Sequence, residues 1–303
     1  MLSAIGRGTG VHMLHTFGRT IELIKMSWSV LRKDRELIAF PIMSGMALAV
    51  LALLMFGIGS GLGTVDRLAL EAGTGPSAVS PELSGPDIVL LAVTYFLFAF
   101  VIIYFNSALI GAAMVRLGGG DPTVTDGLRL ANKRLVHIAG WALIAATVGL
   151  ILQVLRNRSQ NNIVGQIVLS MVGGVWAYLT YFVVPVLVAE GLGPLTAIKR
   201  SGSLFKRTWG EQVVSNIGFG ILSFVAILVG ALPAILVGSV SVTAGIAVGV
   251  VTVGLALAWV TALEGVFKAA LYGYVADGSV PEGFTQESLA GSYRTDARKF
   301  RPL

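Results

Sequence analysis

The chain contains no cysteine, so no disulfide, thiolate zinc site or iron–sulfur cluster can form within it. Histidine is almost as scarce, with three in 303 residues. His12 and His15 stand at i and i+3 without a nearby carboxylate to complete a ligand set, and no metal or cofactor is expected. Charge is the third scarcity. Asp, Glu, Lys and Arg make up 13% of the chain, against roughly 25% in a soluble domain. So few charges cannot cover a water-facing surface, and the deficit also excludes a disordered or nucleic-acid-coating chain. Catalytic spacing is missing as well: there is no Gly-x-Ser-x-Gly elbow, no His-Glu-x-x-His and no close carboxylate pair in an apolar run. The glycine-rich pieces at 6–10 and 118–121 lack the Lys-Ser/Thr of a phosphate loop and read as turns.

What remains is apolar. Hydrophobic residues make up 55% of the chain, and they fall in uncharged runs over 37–65, 88–115, 138–155, 163–189 and 213–263. A spanning helix needs about 20 such residues to cross the roughly 30 Å of bilayer hydrocarbon. Four runs therefore make one span each. The fifth holds 51 residues, about 75 Å as one helix, and must fold back on itself. The best turn is Gly238-Ser239-Val240-Ser241. Six spans follow, at 38–63, 88–115, 138–155, 163–189, 213–237 and 243–270. Pro185 and Pro233 fall inside spans 4 and 5 and should kink them. Residues 1–20 are not apolar enough for a signal-peptide core.

Orientation follows from the basic residues. With both termini inside, 19 of the 22 Lys and Arg lie on the inner side, leaving only Arg67, Arg156 and Arg158 outside. Trp28, Trp141, Trp209 and Trp259 fall near the same inner interface, with Trp176 deeper.

The inner connections carry a repeated pattern. Residues 17–36 place Phe17, Ile21, Ile24, Trp28 and Leu31 on one helical stripe. Residues 123–138 repeat it with Val124, Leu128, Ala131, Leu135 and Ile138, and residues 195–209 with Leu195, Ile198, Gly202, Phe205 and Trp209. Each stretch contains a basic pair, Arg32-Lys33, Lys133-Arg134 and Lys206-Arg207, and the third adds Lys199-Arg200. Pro122 and Pro194 lead the second and third at positions like the first turn of a helix. A half-apolar basic helix suits the headgroup plane of an anionic leaflet. The chain thus reads as one membrane domain: an N-terminus over 1–16, repeat units over 17–115, 116–189 and 190–275, and a tail over 276–303.

Two further patterns concern packing. Asn106 sits two-thirds along span 2, where an amide ordinarily bonds to another helix. Gln153, Gln166, Thr180 and Asn216 fit the same description. Glu264 and Lys268, at i and i+4, are the candidate ion pair near membrane depth. Gly57/Gly61, Gly59/Gly63 and Gly245/Gly249 have the spacing of close helix packing, directed either toward a partner or into the bundle.

The stretches YFNSAL (104–109), GGDPTVTDGL (119–128), GWALIAATVG (140–149), TYFVVPVLVAEGLGPLTAIKRS (180–201), KRTWGE (206–211) and FKAALYGYVADG (267–278) occur together. On them, the chain resembles, over about 20–280, a bacterial and archaeal six-helix integral-membrane family of unknown function. More distantly it is similar to the membrane domains attached to some glycerophosphodiester phosphodiesterases. Their catalytic domain has no counterpart here, so the resemblance implies no enzymatic activity. Residues 1–15 and the outer loop 64–87 depart from the family pattern.

The expectation is an all-α polytopic protein in a bacterial or archaeal cytoplasmic membrane, built as three tandem hairpins with three inner interfacial helices. Its expected role is non-enzymatic, as a lipid-interacting or scaffolding subunit; the alternative is a transporter or channel for a small or amphiphilic solute. Expected partners are anionic inner-leaflet lipids, contacted by Arg32, Lys33, Lys133, Arg134, Lys199, Arg200, Lys206 and Arg207, and other membrane chains or a second copy. No nucleic acid is expected.

Overall fold

A computed structural model describes residues 21–72, 84–159, 162–207 and 212–285. These residues are all-helical, with no strand among them. The helices are α1 (21–33), α2 (Ala39–Gly61), α3 (Thr64–Ala72), α4 (Gly85–Leu117), α5 (Val124–Lys133), α6 (Leu135–Arg158), α7 (Ile163–Thr180), α8 (Val183–Ala189), α9 (Pro194–Arg207), α10 (Gln212–Gly238) and α11 (Val242–Asp277). A 3-10 turn over Arg35–Ile38 leads into α2.

Six helical stretches are long and apolar enough to cross a membrane: Arg35–Gly61, Gly85–Leu117, Leu135–Arg158, Ile163–Ala189, Phe219–Gly238 and Val242–Asp277. The protein is a multi-pass membrane protein by this measure. The long fifth run does reverse: α10 ends at Gly238, and the Ser241 hydroxyl accepts from Ala244 N–H to cap α11. Polar residues set other starts. Thr123 and Asp126 form a capping box on α5, so Pro122 lies one residue outside the helix, whereas Pro194 does open α9.

The core sits at one end of the bundle, the end holding α1, α5 and α9. Ser107 to Ala113 of α4 are all buried, as are Val183 and Pro185 to Val188 of α8 and most of α11 from Ala258 to Val275. α4 is central, packing on α2, α5, α6, α8 and α11. Toward the other end large apolar side chains such as Leu53, Phe56, Met171 and Leu236 are exposed, a surface that hydrocarbon can cover.

Span 4 breaks where its proline dictates. Pro185 has no N–H and its ring crowds the carbonyl of Tyr181, four residues back. The helix ends at Thr180 and resumes at Val183. The Phe182 N–H, freed by the break, donates to the buried Ser201 hydroxyl of α9 at 2.9 Å. Pro233 behaves differently, because α10 runs through it without interruption. One turn earlier, the Thr252 hydroxyl of α11 shares its proton between the carbonyls of Gly230 and Val248.

The glycine pairs separate into two kinds. A Cβ on Gly245 would lie 2.5 Å from the Gly238 Cα, and one on Gly249 would lie 3.0 Å from the Ala234 Cβ. That pair faces α10. Gly57 and Gly61 are exposed, with nothing within 4 Å of either position.

Candidate functional site

Two groups of charged and hydrogen-bonding residues lie close together, one on the short-helix end and one around a cavity a level deeper. At the end itself, α1 buries Leu23, Ser27, Val30, Leu31 and the following Asp34, while Ile21 and Trp28 stay exposed beside Lys25, Arg32 and Lys33. On α9, Ala197, Ser201, Leu204 and Phe205 are buried and Leu195 is exposed beside Lys199. On α5 only Gly127 and Ala131 are buried.

The eight basic candidates do not share one fate. Lys33 pairs with Glu282 at 2.9 Å, and this bond holds the Glu282 carboxyl below its ordinary range. Arg200 pairs with Glu190 at 2.9 Å, which raises the guanidinium further, and Glu190 also accepts from the Tyr272 hydroxyl. Arg134 lies against Gly191, where a Cβ would strike the guanidinium. Arg32, Lys133, Lys199 and Lys206 are exposed and form no ion pair with a described residue. The Arg207 side chain lies outside what the structure describes, as do His12, His15 and Trp209.

The same end is tied together by acids. Glu36 accepts from the Val124 N–H at 2.8 Å, joining the start of α2 to α5. Asp126 is held below the usual carboxylate range, first by the Thr123 hydroxyl and then by its N–H. Asp34 is pushed upward by burial, and one of its carboxylate oxygens has no partner among the described residues. Trp28 meets Trp259 edge-on at 5.4 Å, and Trp141 stacks on Trp176 at 5.8 Å.

Deeper in the bundle, the Glu264–Lys268 pair forms at 2.7 Å, with side chains 35% and 22% exposed. The Lys268 ammonium lies 5.4 Å from the centre of the Tyr181 ring. A cavity of about 300 Å³ opens here between α4, α7, α8 and α11, lined by Asn106, Thr180, Tyr181, Pro185 and Lys268 among others. A second cavity of about 330 Å³ lies on the other side of Asn106, between α2, α4 and α11, and is lined largely by apolar residues such as Leu48, Phe105 and Leu257. The Asn106 amide therefore borders both cavities, and it makes no hydrogen bond to a described residue. The Thr180 hydroxyl donates within its own helix, to the Trp176 carbonyl at 2.8 Å. Among the described residues no group of three or more His, Asp or Glu could hold a metal ion.

Tyr181 and the break at Tyr181–Phe182 were not among the residues singled out from sequence. The signal was present in Pro185, since a proline within a span releases the carbonyl four residues upstream. The Thr64–Arg67–Asp87 cluster at the opposite end was also missed. Its signal was the Ser84-x-x-Asp87 spacing of a capping box.

A family model described as a family of unknown function, DUF6159, matches residues 86–283, so the chain belongs to that family. The match begins at α4 and leaves α1 and α2 outside it. No curated protein and no solved structure matches the chain.

Proposed function

We propose that this family member is a non-enzymatic membrane protein that gathers anionic lipid headgroups against its short-helix end, as a lipid-interacting or scaffolding subunit of a membrane assembly. The reading takes that end as the inner side of a bacterial or archaeal cytoplasmic membrane, with both termini inside. It treats the chain as three tandem units, each a basic interfacial helix followed by a hairpin. The observation that carries it is the exposure of Arg32, Lys133, Lys199 and Lys206 on three short helices that also expose Ile21, Trp28, Leu135 or Leu195 at their edges or at the following residues. Apolar and cationic groups side by side suit the headgroup–acyl boundary and neither pure water nor pure hydrocarbon.

Each such cation near an anionic surface is worth about 1 kcal/mol. Replacing Arg32, Lys133, Lys199 and Lys206 together by Gln is expected to lose up to about 4 kcal/mol of headgroup attraction. Native mass spectrometry should then find retained phosphatidylglycerol or cardiolipin sharply reduced, while Arg200→Gln, which removes a cation already paired with Glu190, changes retention little. Equal retention by the quadruple variant and the wild type would leave the short helices as plain anchors. Orientation has its own check. Single cysteines at 67 and 82 should react with an impermeant thiol reagent in intact cells, and cysteines at 133 and 206 only after lysis.

The two cavities flanking Asn106 favour a second reading, a carrier for a small amphiphilic solute. Solute flux into proteoliposomes that stops with Asn106→Leu would select it.

A further inference from the structure

We infer that the cavity bounded by Asn106, Tyr181 and Lys268 binds a singly charged oxyanion, a phosphodiester or carboxylate head, inside the membrane-spanning bundle. The inference deepens the lipid-interacting reading but rests on different residues from the surface cations. Four observations converge on it.

The first is position. Lys268 lies nine residues before the end of α11, about 14 Å along the axis, and Asn106 lies eleven before the end of α4. Lys268 stands two residues before the end of its expected span, 243–270, and Asn106 two-thirds along 88–115, so both lie toward the short-helix boundary of the hydrocarbon. The second is unmet capacity. The Asn106 amide and the Tyr181 hydroxyl make no hydrogen bond to a described residue, yet both border the cavity. The third is the helix break. Pro185 cannot donate to the Tyr181 carbonyl, and irregular backbone at membrane depth is tolerated where it is buried in protein or lines a wet cavity. The Ser201 bond to the Phe182 N–H repairs the N–H side of the break, and Tyr181 itself borders the cavity.

The fourth is charge. Lys268 has three N–H donors, and Glu264 engages the ammonium at 2.7 Å. One contact with Glu264 leaves further N–H donors of the ammonium for a ligand. An oxyanion in about 300 Å³ of space would accept from Lys268, from the Asn106 NH₂ and from the Tyr181 hydroxyl. Such charge-assisted bonds are the strong ones. The largely apolar cavity beyond Asn106 suits a ligand with a hydrocarbon portion.

The test uses the full chain in neutral detergent, with thermal melting titrated by three probes: lysophosphatidylglycerol, inorganic phosphate and monoacylglycerol. A ligand that binds the folded state raises the melting temperature. Lysophosphatidylglycerol should raise it and monoacylglycerol should not. Asn106→Leu and the double variant Glu264→Gln/Lys268→Gln should weaken the apparent affinity by about tenfold or more. The double variant removes both charges together, so neither is left buried alone; if it fails to fold, Asn106→Leu decides. The quadruple surface variant should keep the shift, which separates this site from the surface reading. A shift with inorganic phosphate as well, lost in the same variants, supports the site and identifies a free anion as sufficient. No shift with either oxyanion, or the same shift in wild type and folded cavity variants, overturns the proposal.

Discussion

Asp87→Ala is expected to lower the melting temperature of the purified protein by roughly 5–10 °C, the largest effect of any single side-chain deletion considered. The carboxylate is 0% exposed and accepts five hydrogen bonds. They come from the Thr64 hydroxyl, from Arg67 Nε and Nη2, and from the N–H and hydroxyl of Ser84. The Arg67 Nε bond is 2.9 Å and the Ser84 N–H bond 2.8 Å. One residue thus caps the start of α4 and ties α3 back onto it. Removing it takes the acceptor from a guanidinium, two hydroxyls and an N–H at once, and the buried Thr64 hydroxyl then bears its full desolvation penalty. Arg67→Ala should cost much less, because its side chain is 32% exposed and Thr64 and Ser84 still serve the carboxylate. Asp87→Asn should fall between the two, since it keeps the shape and loses the charge. If Asp87→Ala and Arg67→Ala melt alike, the carboxylate does not organise this end of the bundle.

Gly245→Leu is the second large effect, and Gly61→Leu is its control. At Gly245 the new Cβ would meet the Gly238 backbone and the Ala234 carbonyl oxygen, and neither can move aside without separating α10 from α11. Overpacking a tight contact costs about 1–3 kcal/mol and occasionally more; a backbone-to-backbone contact belongs at the upper end. Because α10 packs chiefly along α11, little else holds it, and loss of monodisperse protein is the expected outcome. Gly61 is exposed with nothing within 4 Å, so Gly61→Leu should fold and melt like the wild type. The same variant reports on assembly. If α2 meets a second chain through Gly57 and Gly61, cross-linked or co-purified partner disappears while the monomer stays intact. Normal folding of Gly245→Leu would mean that the α10–α11 contact contributes little to the bundle.

Between them, these two substitutions mark what could and could not be read from the chain beforehand. The spans were legible because crossing a bilayer is nearly a one-dimensional requirement: about 20 consecutive apolar residues satisfy it wherever they later pack. The reversal after Gly238, the expected Glu264–Lys268 pair and the location of the short helices are similarly local, set by spacings of a few residues. Pro185 even indicated the break in span 4, since a missing N–H acts at a fixed distance along the helix.

The facing of each helix was a different matter. In a membrane, hydrocarbon and protein interior are both apolar, so hydropathy does not separate the stripe that meets lipid from the stripe that meets another helix. On α1 the chain buries Leu23, Ser27, Val30 and Leu31 against protein and leaves Ile21 and Trp28 of the visible stripe outside. Gly57/Gly61 and Gly245/Gly249 share a spacing and point to opposite environments for the same reason. The cavity is more distant still from the sequence. Its polar lining joins Asn106, Tyr181 and Lys268 from separate helices, and the bond that repairs its broken helix joins Phe182 to Ser201. The linear chain determined that six apolar segments span and where they turn, because backbone desolvation and helix geometry act locally. Tertiary packing alone decided which polar groups share a cavity, because side chains far apart in sequence become neighbours only when the helices dock.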